Sequence, residues 1–442
     1  MSWLRLWIGI PVALALVAAL YSILKPRTGA TPAIHNGFMD VVIDRKYIVS
    51  AIFLFCYVIF AGIGEFYFQM SDDAFYRNGI FRELINRDWP VVYGTNENLS
   101  ILCYFFGFWL PSALIAKIFG NSILIGNIAL VLYTYWGLMI LFNFIYSHFE
   151  GRVKYKILAV FFLFSAWDLI LSGYFLYWPG NSLSDWQAFL RSDQNLAAPG
   201  YATNNIYTLF FDNFNSTIPA FVGCFLAYYN RNTPRYLFLI LSLIAICSPF
   251  AMVGLVLPAI LYLSKNFHNA LSWQNILSIL IFCLVGLFFI TNNNAHAESV
   301  ESGSHYTIPE LVESCIVFVI FAYGIYLPWI WKSVRKDILF SLLFINMAIV
   351  PLLCVGYSVD LGWRAGMPFS LDFLMKVTKK VLSVRKWRKP YNALFLIVLI
   401  IGSISPVSYY TLTLAYPLFH ATGHDGVIAT FERICLRDYA LT

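Results

Sequence analysis

Long apolar runs alternate with short polar clusters along most of this chain. The runs occupy roughly 3–24, 47–68, 101–119, 122–146, 157–178, 214–230, 236–264, 274–291, 311–331, 337–355 and 391–409, with a short apolar segment after Pro368. A hydrocarbon core needs about 20 apolar residues per crossing, so the pattern predicts an all-α polytopic membrane protein with about 11–13 transmembrane helices. The first run, Trp3 to Leu24, is longer than a signal-peptide core and lacks a convincing cleavage site, so it reads as a helix. Residues 1–442 read as a single transmembrane domain.

Composition removes the soluble alternative. Only 12% of residues are charged while 60% are hydrophobic and 18% aromatic, against about 25% charged in a soluble domain. The net charge of +6 is spread over small basic clusters between apolar runs, which is a topology signal and not a nucleic-acid surface. These clusters are Lys25, Arg27, Arg45 and Lys46; Arg152, Lys154 and Lys156; Arg231 and Arg235; Lys265; Lys332, Arg335 and Lys336; and residues 376–389.

If every cluster faces the cytoplasm, neighbouring clusters are separated by an even number of crossings. Three runs lie between the first cluster and Arg152. The middle one, "ILCYFFGFWLPSALIAKIFG", carries Pro111 and Lys117, so it is read as a helix lying at the outer interface. By the same parity the run 236–264, broken by "SPF" at Ser248–Phe250, becomes two short helices meeting near the outer side. The sizeable polar loops 69–100, 179–213, 292–310, 356–367 and 410–442 then share one external face, expected to be periplasmic, and 69–121 as a whole reads as an external loop with interfacial helices.

The residues able to do chemistry concentrate on that face. Asp72 and Asp73 stand just beyond a span, where a carboxylate keeps water access yet borders an apolar cavity and gains basicity. They open the stretch "DDAFYRNGIFRELINRDW", which predicts an amphipathic interfacial helix, so they serve equally well as its N-terminal cap. Arg77, one turn further, is a candidate for holding a donor phosphate. Arg364 sits in "YSVDLGWRAGMP" where the chain turns back into the bilayer; a guanidinium there suits a phosphate or an ion pair with Asp360. Asp168 interrupts the apolar "LFSAWDLI", and Asp185, Trp186, Asn204 and Asn213 follow among aromatics. Carboxylates and carboxamides beside aromatic rings suit a polyhydroxylated ligand, and equally an ordinary polar loop under an aromatic belt. The histidines have no metal-ligand spacing and the cysteines form no CxxC, so a metal is not indicated and no cofactor is assigned.

This arrangement resembles the GT-C superfamily of integral membrane glycosyltransferases. The resemblance is carried by the acidic pair after a span, the interfacial segment "FGFWLPSALIAKIFGNS", the break at Ser248–Phe250 and the late "WRAGMP". It implies a polyprenyl-phosphate-linked sugar as donor and an envelope glycan, O-antigen-like, as acceptor, with the chain in a bacterial inner membrane. It also implies Asp72 or Asp73 as catalytic base, Arg364 as partner of the departing phosphate, and inversion at the anomeric carbon. The extra first span departs from the commonest GT-C start. An O-antigen polymerase or ligase, and a flippase or transporter of lipid-linked sugars, are the competing expectations.

Overall fold

A computed structural model describes residues 13–14, 17, 21, 41–67, 72–93, 100–102, 106–151, 153–165, 167, 197–198, 201–202, 206–231, 236–265, 267, 271–280, 283, 308–350 and 364–419. It is predominantly helical, and each of the two strand pairings, 92–93 with 100–101 and 197–198 with 201–202, is a short antiparallel ladder.

The first described helix, α1 (Arg45–Phe60), is started by Asp44, whose carboxylate accepts from the Tyr47 N–H at 2.9 Å. The loop that follows contains α2 (Asp72–Asn86) and α3 (Leu110–Ile118) before α4 (Ile123–His148) begins at its Ser122 cap. Helix α4 has 26 residues, about 39 Å against a hydrocarbon core of about 30 Å. Leu124, Ile128, Leu132 and Trp136, each four residues from the next, are 44–61% exposed along one face. An exposed apolar stripe of this length is unfavourable in water and suits acyl chains.

The ends of α1 and α4 decide how the first loop runs. The Val42 N–H donates to the Gly151 carbonyl at 2.8 Å, and the Ser50 and Tyr146 hydroxyls touch. The basic residues around 45 and around 154 therefore lie at one end of the bundle, called the basic end below. The chain between them goes out and back once. Helix α3, nine residues long, spans only about 14 Å and packs against α2 and α4. A Cβ at Gly126 would run against both Ala116 of α3 and Ile85 of α2, so only glycine lets the three helices close up.

After α5 (Tyr155–Leu163) and α6 (Ile206–Phe211), α7 (Phe214–Tyr229) runs parallel to α4. A Cβ at Gly137 would come within 2.9 Å of Ile218, and seven residues further along both helices the Phe144 and Phe225 rings stack at 5.6 Å. Position n on α4 is thus level with n + 81 on α7. Helix α8 (Leu237–Cys247) packs on α7 in the opposite direction, with Ile244 filling the space over Gly223.

The 236–264 run breaks where expected. Helix α8 stops at Ser248, α9 (Pro249–Val253) is one short turn, and α10 (Val256–Lys265) follows. Tyr262 on α10 is again within electrostatic reach of Arg231 and Tyr228 at the basic end. The segment is therefore re-entrant: it leaves the basic end, turns between 248 and 255, and returns.

Helices α11 (Ile308–Ala322) and α12 (Leu327–Val334) meet at a 41° bend. Next come α13 (Ile338–Ile349), α14 (Met367–Ser383), α15 (Pro390–Gly402) and α16 (Ile404–Phe419). The segment after Pro368 is not short: α14 has 17 residues, and Lys376 on it pairs with Asp337 at the start of α13. Two helices are long and apolar enough to cross a membrane, Ile123–His148 and Pro390–Ala415, and the bent pair Cys315–Ala322 with Gly324–Val334 makes a third if it is one span. This is fewer among the described residues than the apolar runs predict, because several runs form helices of 9–17 residues or continue outside the described residues. The Trp3 to Leu24 run lies outside them except at isolated helical positions.

Candidate functional site

The end of the bundle opposite the basic end gathers three remote segments. Asp72 and Asp73 are the first two residues of α2, and Arg77 follows one turn after Asp73. Arg77 is 5% exposed and its Nη2 donates to Asn213 Oδ1 at 3.0 Å. Asn213, the residue before α7, is itself buried. A carboxamide is neutral, so this bond fixes the guanidinium without cancelling its charge.

Next to Asn213, the Asp212 carboxylate accepts from the Tyr409 hydroxyl of α16, at 3.1 and 3.2 Å to its two oxygens. Tyr409 is fully buried and sits edge-on to Phe211. The α6–α7 junction is thus held from two sides, by Arg77 of the first loop and by Tyr409 near the other end of the chain.

The second arginine of interest belongs to the same end. Phe214 packs edge-on to Phe108 at 5.6 Å, Gly107 lies against Ile246 of α8, and Gly254 beyond the α9 turn lies against the Ala365 carbonyl. Arg364, next to Ala365 and just before α14, is 4% exposed. A continuous path of contacts therefore leads from Arg77 to Arg364 through the re-entrant turn. Asn346 of α13 closes that turn from the other side, its Nδ2 donating to the Val253 carbonyl at 2.9 Å.

Other charges here are structural. Glu65 accepts from Arg82 at 2.7 Å and from Asn127 Nδ2 at 3.2 Å, which ties α2 to the start of α4.

Of the residues singled out in the sequence, Arg77 and Asn213 are brought into contact, Asp72 and Asp73 begin the helix that carries Arg77, and Arg364 lies buried at the same end. Asp168, Asp185, Trp186, Asn204 and Asp360 lie outside the described residues. The Arg77–Asn213 bond is a contact the sequence reading lacked, since it gave the two residues separate roles. Tyr409 was missed altogether: a tyrosine in an apolar run gives no signal that its hydroxyl meets a carboxylate 197 positions away. Among the described residues no three His, Cys, Asp or Glu side chains are grouped to hold a metal ion. Comparison with family models, curated proteins and solved structures found no match.

Proposed function

We propose that this chain is a multi-pass membrane glycosyltransferase of GT-C type, working at the periplasmic face of a bacterial inner membrane. In this reading it moves a sugar from a polyprenyl-phosphate donor to an envelope glycan acceptor, with about a dozen crossings in the whole fold. The observation that carries it is the buried Arg77, fixed by Asn213 at the start of α7 and one turn from the acid pair on α2. That arrangement sets a cation and two acids at one end of the bundle, where a lipid-borne phosphate has its headgroup.

The chemistry asks little more. Asp72 or Asp73 takes the proton from an acceptor hydroxyl, and the oxygen attacks the anomeric carbon from the face opposite the phosphate. The carbon–oxygen bond to phosphate breaks, and polyprenyl phosphate departs with the electron pair toward Arg77 and Arg364. A leaving group of this kind needs charge stabilisation more than protonation, and inversion follows from the single displacement.

Asp72→Asn, Asp73→Asn and the double variant test this, with glycan transfer and donor translocation assayed separately. Loss of transfer in at least one variant, with translocation untouched, supports the enzyme. Wild-type transfer in all three removes the proposed base, and loss of translocation alone favours a flippase.

A further inference from the structure

The basic end carries its charge unevenly. Seven of residues 376–389 are Lys or Arg, and the sequence holds no acid between Asp372 and Asp425. Of the seven, Lys376 is paired with Asp337 and Asp372, and the other six make no ion pair among the described residues. Arg385, Lys386, Arg388 and Lys389 are exposed in the turn between α14 and α15. Helix α15 starts here with Lys389 as its N-cap and no acid in its first turn, so the positive end of its dipole adds to the same field. Like charges crowded into one turn repel one another, and an anion seated among them relieves that cost.

A bias of charge between the two sides of a membrane needs no particular geometry, yet this turn is firmly built. Asn392 Nδ2 donates to the Lys386 carbonyl at 2.9 Å. Trp387 stacks on Phe395 of α15 with 6.3 Å between ring centres, and Phe395 stacks on Trp329 of α12 at 5.2 Å. Trp329 Nε1 donates to the Tyr391 carbonyl at 2.9 Å, and the Tyr391 hydroxyl donates to the Pro328 carbonyl at 2.7 Å. Two further cations rest on this aromatic ledge: Lys156 Nζ lies 5.8 Å from the centre of the Trp387 ring and Lys380 Nζ 5.5 Å from that of Tyr391. A ring face orients a cation without neutralising it.

An apolar stripe begins at the same turn. Residues Pro390–Ala415 are long and apolar enough to cross a membrane. Along them Ile397, Ile400, Ile404 and Val407, three or four residues apart, are 42–55% exposed, while Phe395, Val398 and Tyr409 are buried. From Ile397 to Val407 the helical rise is about 15 Å, half of a hydrocarbon core of about 30 Å. We infer that the 385–389 turn and the α15–α16 stripe beside it bind a glycerophospholipid with an anionic headgroup. Its phosphate sits among the turn cations and its acyl chains lie along the stripe. A zwitterionic lipid brings an ammonium that these cations oppose, and a free phosphate leaves the stripe uncovered. The site stands at the end of the bundle opposite Arg77 and does not depend on sugar transfer.

The purified full chain in phosphatidylcholine nanodiscs with a rising share of phosphatidylglycerol tests this, the lipids that stay bound being counted by native mass spectrometry. Wild type is expected to retain at least one phosphatidylglycerol in preference to phosphatidylcholine. Arg388→Gln combined with Lys389→Gln is expected to raise the half-saturating share about ten-fold, and Arg388→Lys to leave it unchanged. Arg45→Gln combined with Lys46→Gln removes the same charge from exposed positions of α1 at the same end and is expected to shift it less than about two-fold, since a headgroup field is screened within a Debye length. In phosphatidylcholine alone the Arg388/Lys389 pair variant is expected to unfold at the wild-type temperature or above, because it relieves repulsion. An equal shift in both pair variants means a diffuse surface field and overturns the site. Equal retention of the two lipids by wild type also overturns it. Displacement by glycerol 3-phosphate as effective as by short-chain phosphatidylglycerol overturns the role of the stripe, and with it the lipid assignment.

Discussion

Arg77 is worth more in place than its hydrogen bond to Asn213 indicates. A guanidinium 5% exposed is costly to bury unless the surroundings supply acceptors, and Asn213 Oδ1 is one of them. Arg77→Gln and Asn213→Ala are expected to be non-additive, with a coupling of about 1.5–3 kcal/mol, the range for a hydrogen bond to a charged group. A double-mutant cycle of unfolding in detergent measures it. The Tyr409–Asp212 bond makes a parallel case. Tyr409→Phe keeps the ring against Phe211 but removes the donor, so a stability loss of about 1–3 kcal/mol with unchanged secondary structure is expected. Neither pairing was readable from the sequence. Each partner looked like an ordinary polar or aromatic residue near the end of an apolar run, and a side chain's identity does not encode which remote segment it will meet.

At the scale of elements the sequence was more informative. Periodic apolar content placed α4 at 122–146 against the observed Ile123–His148, and α7 at 214–230 against Phe214–Tyr229. The Ser-Pro step marked the break after α8 because proline cannot continue the hydrogen-bond ladder. Length was the weaker inference. The run at 101–119 looked nearly long enough to cross, yet α3 covers only Leu110–Ile118, because Pro111 fixes its first turn and Gly120 ends it with a φ of 76°. Gly137 sets how closely α4 and α7 approach. Gly137→Leu pushes against Ile218 and is expected to cost about 1–3 kcal/mol, seen as a lower unfolding temperature. Gly120 faces open space but needs a left-handed backbone, so Gly120→Ala is expected to cost roughly 1 kcal/mol without disturbing any neighbour.

For the molecule as a whole, parity of crossings turns on one junction. The Val42–Gly151 bond joins the chain before α1 to the chain after α4, so reporter fusions at residues 30–40 and 150–156 are expected to report the same side of the membrane, with a fusion near 121 reporting the other. Opposite sides at the first two positions would mean that the first loop crosses once more and that the acid pair and Arg364 do not share a face. The sequence by itself determined the solvent of this protein, the helices and the place where one of them breaks, because burial in lipid and helix continuity are written in local composition. Only the tertiary structure decided that Arg77 meets Asn213 and that Tyr409 meets Asp212. Those outcomes depend on register between helices far apart in the chain, which is fixed by the close packing of residues such as Gly137 and Ile218 and leaves no local trace.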